Sequence, residues 1–233
     1  MNIKNLFKKR IIKTGEPLTI KELDNLIKSR ERIADKEFSL GYNLIKKYPR
    51  SVSILGSARF KPDNEYYKQA ESLGRRIAQE LKYAVVTGAG PGIMEAASKG
   101  AFEAGGKSIG FAIKLPKEQV VNPYLTECVE FEYFFSRKTI LFFSAETYIY
   151  YPGGFGTMDE LFEILTLIQT GEIPKTPVIL VGRDFWQPLL DLIEKELLKD
   201  EKTISPEDTS IYKIVDSEDE IIEIIKNAPF RQE

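Results

Sequence analysis

The chain has 233 residues, 42% of them hydrophobic and 29% charged, with a formal net charge of −2. That length supports one sizeable core, and the balanced charge excludes a global pull toward nucleic acid or acidic membranes. There is no histidine and only one cysteine, Cys128. This excludes Ser-His-Asp and Cys-His catalysis, histidine metal sites and any internal disulfide, so a general acid or base falls to a carboxylate, or failing that Lys, Tyr or Cys.

The first 50 residues are polar and charge-rich. "MNIKNLFKKRIIK" is basic but lacks the apolar core and cleavage site of a signal peptide, and no run reaches the ~18 apolar residues of a membrane span. A cytoplasmic protein is expected. "LTIKELDNLIKSRERIADKEFSLGYNLIKKY" carries Leu23, Leu26, Ile27 and Ile33 near helical spacing. Residues 1–50 therefore read as a helical extension, packed on the main body or used as an oligomer contact.

From Ser51 the pattern alternates. Strands are predicted at "SVSIL" (51–55), "YAVVTG" (83–88), "SIGFAI" (108–113), "CVEFEYF" (128–134), "TYIYYP" (147–152), "TPVILVG" (176–182) and "IYKIVD" (211–216). Helices are predicted at 65–81, 92–105, 136–145, 158–171, 185–199 and 218–228. Continuous apolar strands such as "TPVILVG" mean that both faces of the sheet are covered. The fold class is α/β, a doubly wound and mostly parallel sheet with helices on both faces, over residues 51–233. Ligands of such sheets sit beyond the C-terminal ends of the strands. The glycine clusters fall there. Cys128 is expected to be a buried or half-buried thiol.

"TGAGPGIMEAA" follows a strand and opens a helix. Its spacing is G-x-G-x-G, and the next strand ends in Ile113-Lys114 with no acidic residue for a ribose, so it is a poor dinucleotide fingerprint. A tight glycine turn with no ligand is the alternative. No glycine run is followed by G-K-[ST], which removes a Walker phosphate loop. "PGGFGTMDE" (152–160) is sharper. Gly153, Gly154 and Gly156 let backbone N–H groups converge, Thr157 adds a hydroxyl, and the helix dipole favours an anion such as one phosphate. With the helix starting at Met158, Asp159 and Glu160 fall in its first turn, where they would repel that anion. Thr157-x-x-Glu160 also fits a capping box, the structural alternative for Glu160. In "SRK" (136–138), Arg137 and Lys138 open a helix against its dipole, either as solvated charges or as phosphate and sugar contacts.

"SRK" together with "PGGFGTMDE" resembles the Lonely Guy (LOG) family. These are phosphoribohydrolases that cut N6-modified adenosine monophosphates to free base and ribose 5-phosphate, and they are often labelled lysine decarboxylases. The family pattern P-G-G-x-G-T-x-x-E is met at every fixed position from Pro152 to Glu160. The resemblance spans about 51–230. It implies Arg137 and Glu160 as catalytic residues and no cofactor, and no metal is expected because the chain has no Cys/His cluster and its carboxylates lack ligand spacing. It implies substrate contacts at Gly153, Gly154, Gly156, Thr157, Lys138 and Glu118 of "LPKEQ", and at the other glycine turns: Gly56 and Ser57 of "GSA", and Gly88, Gly90 and Gly92 of "GAGPGIME". It also implies a homodimer or larger homo-oligomer; the two long amphipathic helices after the 152–160 loop would serve as an interface, or else only cover the sheet. "GAGPGIMEA" carries Glu95 where plant-type members have glycine, and "NPY" (122–124) and "FEYFFSRK" (131–138) look like a longer bacterial branch. Plain AMP or another nucleoside monophosphate is thus as open as an N6-modified one. The competing readings are a nucleotide or molybdenum-cofactor carrier without catalysis, and a decarboxylase, which would need a Schiff-base lysine in a cofactor site, and no lysine stands out for that role.

Overall fold

The computed structural model describes residues 19–115 and 120–229. The basic stretch 1–13, and Glu118, lie outside the described residues. Helix α1 (Ile20–Lys47) comes first, and the chain divides into two compact units within it, after Lys36. Leu23 and Ile27, which helped to signal this helix, are exposed; its buried residues are Glu37, Gly41, Leu44 and Ile45. No helix among the described residues is long and apolar enough to cross a membrane.

The rest is strand and helix in alternation. β1 (Ser51–Leu55) leads to α2 (Glu65–Arg76, continued by a π-helical turn Ile77–Leu81), then β2 (Ala84–Thr87) and α3 (Ile93–Glu103). β3 (Ser108–Ile113) and β4 (Glu127–Phe131) follow, then α4 (Phe134–Phe142), β5 (Tyr148–Tyr150), α5 (Phe155–Gln169) and β6 (Val178–Leu180). α6 (Arg183–Leu192, continued as a π-helix to Asp200), β7 (Tyr212–Ile214) and α7 (Glu218–Asn227) end the described chain. Local chemistry sets several starts: the Asn64 side chain accepts from Tyr66 N–H before α2, and that of Ser217 from Glu220 N–H before α7.

The seven strands form one parallel sheet in the order β4-β3-β2-β1-β5-β6-β7. Two cores cover its faces. Ile140, Leu161, Ile164 and Trp186 bring α4, α5 and α6 to one, with Leu44 and Ile45 of α1. Tyr67, Leu73, Ala97 and Ile222 bring α2, α3 and α7 to the other. The order turns at the β1–β5 pair, where Ser53 faces Tyr148 and Leu55 faces Tyr150. The chain leaves β1 toward one face and β5 toward the other, which opens a crevice above this pair.

β4 is an edge strand, and its residues alternate between half-buried and exposed before the buried Phe131. Cys128 lies on its open side and is exposed, contrary to the burial expected of a free cysteine. A central strand would have buried it; an edge strand leaves part of one face to solvent.

Candidate active site

Three glycine loops leave the C-terminal ends of β1, β2 and β5 and are stitched together by backbone hydrogen bonds. Ser57 N–H donates to Pro152 O at 3.0 Å, and Ile93 N–H to Ser57 O at 3.0 Å. The packing is too close for side chains. Gly92 has φ +71°, in the left-handed region, and a Cβ there would lie 2.2 Å from Ser57 O. A Cβ on Gly56 would lie 2.9 Å from both Ile93 and Tyr151. Ala89 also holds a positive φ, 65°, and Asn122 straps this turn: its N–H donates to Ala89 O at 2.9 Å and its side-chain amide to Gly90 O at 3.1 Å. Sequence reasoning does not single out Asn122 as a site-building residue; the "NPY" motif is its only trace.

Helix α5 begins at Phe155, three residues before the start its sequence pattern suggests. Gly154 is the N-cap, without a side-chain cap, so the Thr157–Glu160 capping box does not form. Met158 N–H makes the first intrahelical bond, to Gly154 O at 3.0 Å, which leaves the N–H groups of Phe155, Gly156 and Thr157 ahead of it without an intrahelical acceptor. Thr157 is buried, and its hydroxyl takes the space beneath Gly153. Nothing lies within 4 Å of where a Cβ would project from Gly154 or Gly156. The early start also resolves the charge conflict of the sequence. The first turn of α5 contains no acid, and Asp159 and Glu160 sit one turn further in. The helix start is free to receive an anion, with Phe155 fully exposed beside it.

Arg137 and Glu160 are brought together. Arg137, buried on α4, donates from Nε to the Phe111 carbonyl in the second half of β3 (3.0 Å) and from Nη1 to Glu160 Oε1. Its guanidinium fills the place a side chain on Gly88 would need: a Cβ there would be 2.4 Å from Nη2. Gly88 thus makes room for an arginine, a role its motif does not announce. Tyr150 lies below, its hydroxyl donating to the Glu160 carbonyl at 3.1 Å. Burial first, and then the Glu160 charge, push this phenol well above its ordinary pKa. Lys138 points the other way along α5, to Asp159 at 3.0 Å and to Glu163. Burial opposes its charge, but those carboxylates outweigh it and the Lys138 pKa is raised.

The assembly sets an anion-ready helix start one turn away from a carboxylate–guanidinium pair. Among the described residues no group of three or more Cys, Asp or Glu is placed to hold a metal ion. Surface hollows lined by Pro177, Ile224, Asn227 and Pro229 lie at the opposite end of the strands, before β6.

A family model described as possible lysine decarboxylase matches residues 94–225, more than half of the chain and including Arg137, Lys138 and the whole 152–160 loop. The chain belongs to this family, the LOG family. A cytokinin riboside 5′-monophosphate phosphoribohydrolase of Rhodococcoides fascians is 31% identical over 151 residues, 63% of this chain and 75% of its own. One from Arabidopsis thaliana is 29% identical over 163 residues, 69% and 73% of the two chains. Among solved structures, the molybdenum cofactor binding protein of Rippkaea orientalis superposes with a TM-score of 0.55 at 27% identity, over 76% of this chain and 93% of its own. The LOG family thus has a named hydrolase among its relatives, and its fold recurs in a named cofactor binder.

Proposed function

We propose that the chain hydrolyses the N-glycosidic bond of a nucleoside 5′-monophosphate, AMP or an N6-modified AMP, to free base and ribose 5-phosphate. The observation that carries this is the pairing of Glu160 with buried Arg137, one helical turn beyond an uncapped, acid-free helix start. One ligand then satisfies both parts of the site. Its 5′-phosphate takes the N–H groups of Phe155, Gly156 and Thr157, in the open space over Gly154 and Gly156. Its ribose lies over Glu160.

The transition state of such a cleavage places positive charge on the ribose. The Glu160 carboxylate faces that charge and accepts the proton of the attacking water. Water oxygen bonds to C1′ as the C1′–N bond breaks, and the electron pair of that bond leaves with the base, whose nitrogen takes a proton from solvent. Arg137, anchored on Phe111 O, aims the carboxylate. Lys138 screens Asp159 and Glu163 so that the incoming phosphate meets less negative field. Relatives named as phosphoribohydrolases support the same chemistry here. A homodimer or larger homo-oligomer in the cytoplasm goes with this reading.

The test is a product assay. Purified protein is incubated with AMP, GMP, CMP, UMP and N6-isopentenyl-AMP, and free base and ribose 5-phosphate are measured beside Glu160→Gln. Base release that is lost in Glu160→Gln is expected. Tight nucleotide binding with no base released from any substrate would replace this reading by a carrier, and a folded Glu160→Gln with wild-type turnover would remove Glu160 from the reaction.

A further inference from the structure

We infer that Glu37, on the N-terminal helix, is a positioning residue that clamps the start of α4 so that Arg137 meets Glu160; this rests on the hydrolytic reading above. Helix α4 starts badly by itself. Its N-cap, Tyr133, offers no side-chain hydrogen bond, its first turn has no acid, and two cations, Arg137 and Lys138, follow within it. Cations at a helix N-terminus oppose the dipole.

The missing negative charge comes from another element. One Glu37 carboxylate oxygen accepts the Glu132 N–H and the other accepts the Ser136 hydroxyl. Glu37 is only 5% exposed. Carboxylates are seldom buried this far unless charge-assisted hydrogen bonds hold them, and here both bonds go to the residues that bracket the start of α4.

The helices that carry these bonds are also in close contact. One turn along α1, a Cβ on Gly41 would come within 2.5 Å of Ile140 Cγ1, so the two helices pack closely there. The rings of Phe38 and Phe135 lie 6.3 Å apart and those of Tyr42 and Phe143 6.4 Å. Glu37, Gly41 and Leu44 share one buried face.

Ser136 immediately precedes Arg137. The first turn of α4 is therefore held from both sides, by Glu37 through Ser136 and by the Phe111 carbonyl through Arg137. Without the Glu37 carboxylate, the Glu132 N–H and the Ser136 hydroxyl at this uncapped start lose the acceptor that ties them to α1. The turn loosens, and the group it carries away from Glu160 is the Arg137 guanidinium. The phosphate-facing start of α5 is untouched.

The experiment compares Glu37→Gln, Glu37→Ala and Leu44→Ala in the full chain, measuring kcat, KM and Tm on whichever nucleoside monophosphate the wild type cleaves. A 1 Å misplacement at a reacting centre can lower turnover about a hundredfold, so a partial loosening is expected to lower it about tenfold. Glu37→Gln is therefore expected to lower kcat by that factor with KM held within about twofold. Leu44→Ala, which removes packing from the same face, is expected to lower Tm and leave kcat nearly unchanged. A Glu37→Gln kcat near wild type would overturn the inference, as would an equal kcat loss in Leu44→Ala. If the Glu37 variants do not fold, Ser136→Ala removes one hydrogen bond and keeps the charge; a smaller kcat loss supports the clamp and none overturns it. If the wild type releases no base, the hydrolytic reading fails and the clamp is tested alone. Phenylglyoxal modification of Arg137, followed by mass spectrometry, is then expected to be faster in Glu37→Gln than in wild type and Leu44→Ala, and equal rates would overturn it.

Discussion

Replacing Gly88 by alanine tests the link between a glycine turn and Glu160, the carboxylate proposed to react. The added Cβ would sit 2.4 Å from Arg137 Nη2 and 2.8 Å from Met94 Sδ. Ordinary van der Waals contact begins at 3.4 Å, so the guanidinium must retreat by about 1 Å. It has little freedom to do so, because Nε is bonded to Phe111 O and the side chain leaves from a buried position on α4. Retreat pulls Nη1 away from Glu160 and breaks that ion pair. Overpacking of this kind costs about 1–3 kcal/mol of stability. At roughly 2–4 °C per kcal/mol for a domain of this size, Tm should fall by several degrees. A 1 Å misplacement of a catalytic group costs about a hundredfold in kcat. The backbone of Gly88 is not in the left-handed region, so alanine adds bulk without backbone strain. The assay is steady-state base release at a temperature where both proteins are folded. A Gly88→Ala enzyme with kcat within about threefold of wild type would refute the placement of Arg137, since tenfold corresponds to ~1.4 kcal/mol of barrier.

Other substitutions separate the roles of the remaining glycines. Gly154→Ala and Gly156→Ala meet no protein atom within 4 Å, so Tm should move little. KM for a nucleoside monophosphate should rise about tenfold or more, because the methyl enters the space assigned to the 5′-phosphate, and an unchanged KM would put the phosphate elsewhere. Gly92→Ala combines a left-handed backbone with a Cβ 2.2 Å from Ser57 O. It should destabilise by about 2–4 kcal/mol, read as the shift in a urea midpoint. Away from the site, Glu127 on β4 is bonded to Lys47 at 2.7 Å and to the Tyr48 hydroxyl. These contacts hold the Glu127 carboxyl below its ordinary value of 4.5, with the Lys47 hydrogen bond the largest cause, and that to Glu127 pushes the Tyr48 phenol up to about 12. A lowered carboxyl pKa stabilises fully above the ordinary value and stops doing so as pH falls through the depressed one. The stability gap between wild type and Glu127→Gln should therefore be fully present above the ordinary carboxyl value of 4.5 and close as pH falls below it through the depressed one. A gap that persists in acid would assign the effect to packing.

Much of this protein is legible in its residues. Continuous apolar strands alternating with amphipathic helices have few solutions other than a two-face α/β sheet, because both sheet faces must be covered. The absence of histidine leaves a general acid or base to a carboxylate or, failing that, to Lys, Tyr or Cys. "SRK" and "PGGFGTMDE" point to the family and to Arg137 and Glu160 together. Boundaries are less legible. The apolar pattern of α5 starts at Met158, but its backbone starts at Phe155. Residues in a first helical turn need not bury an apolar face, so periodicity does not mark them. That three-residue difference decides whether the carboxylates repel the anion or stand one turn behind it.

Tertiary structure alone decided the partnerships. No local pattern shows that Gly88 is small for the sake of Arg137, because the reason is the approach of a side chain from a helix that follows another strand. The strand order that places β1 beside β5 is likewise a product of chain crossing, and it gathers the three glycine loops at one crevice. Glu37 reads in sequence as one more charge on a polar helix; only its burial against Ser136 and the Glu132 N–H distinguishes it from its solvated neighbours. Sequence determines what each segment can do by periodicity, capping and charge, which act over a few residues. Contacts between segments distant in the chain depend on how those segments pack, and there the site was completed.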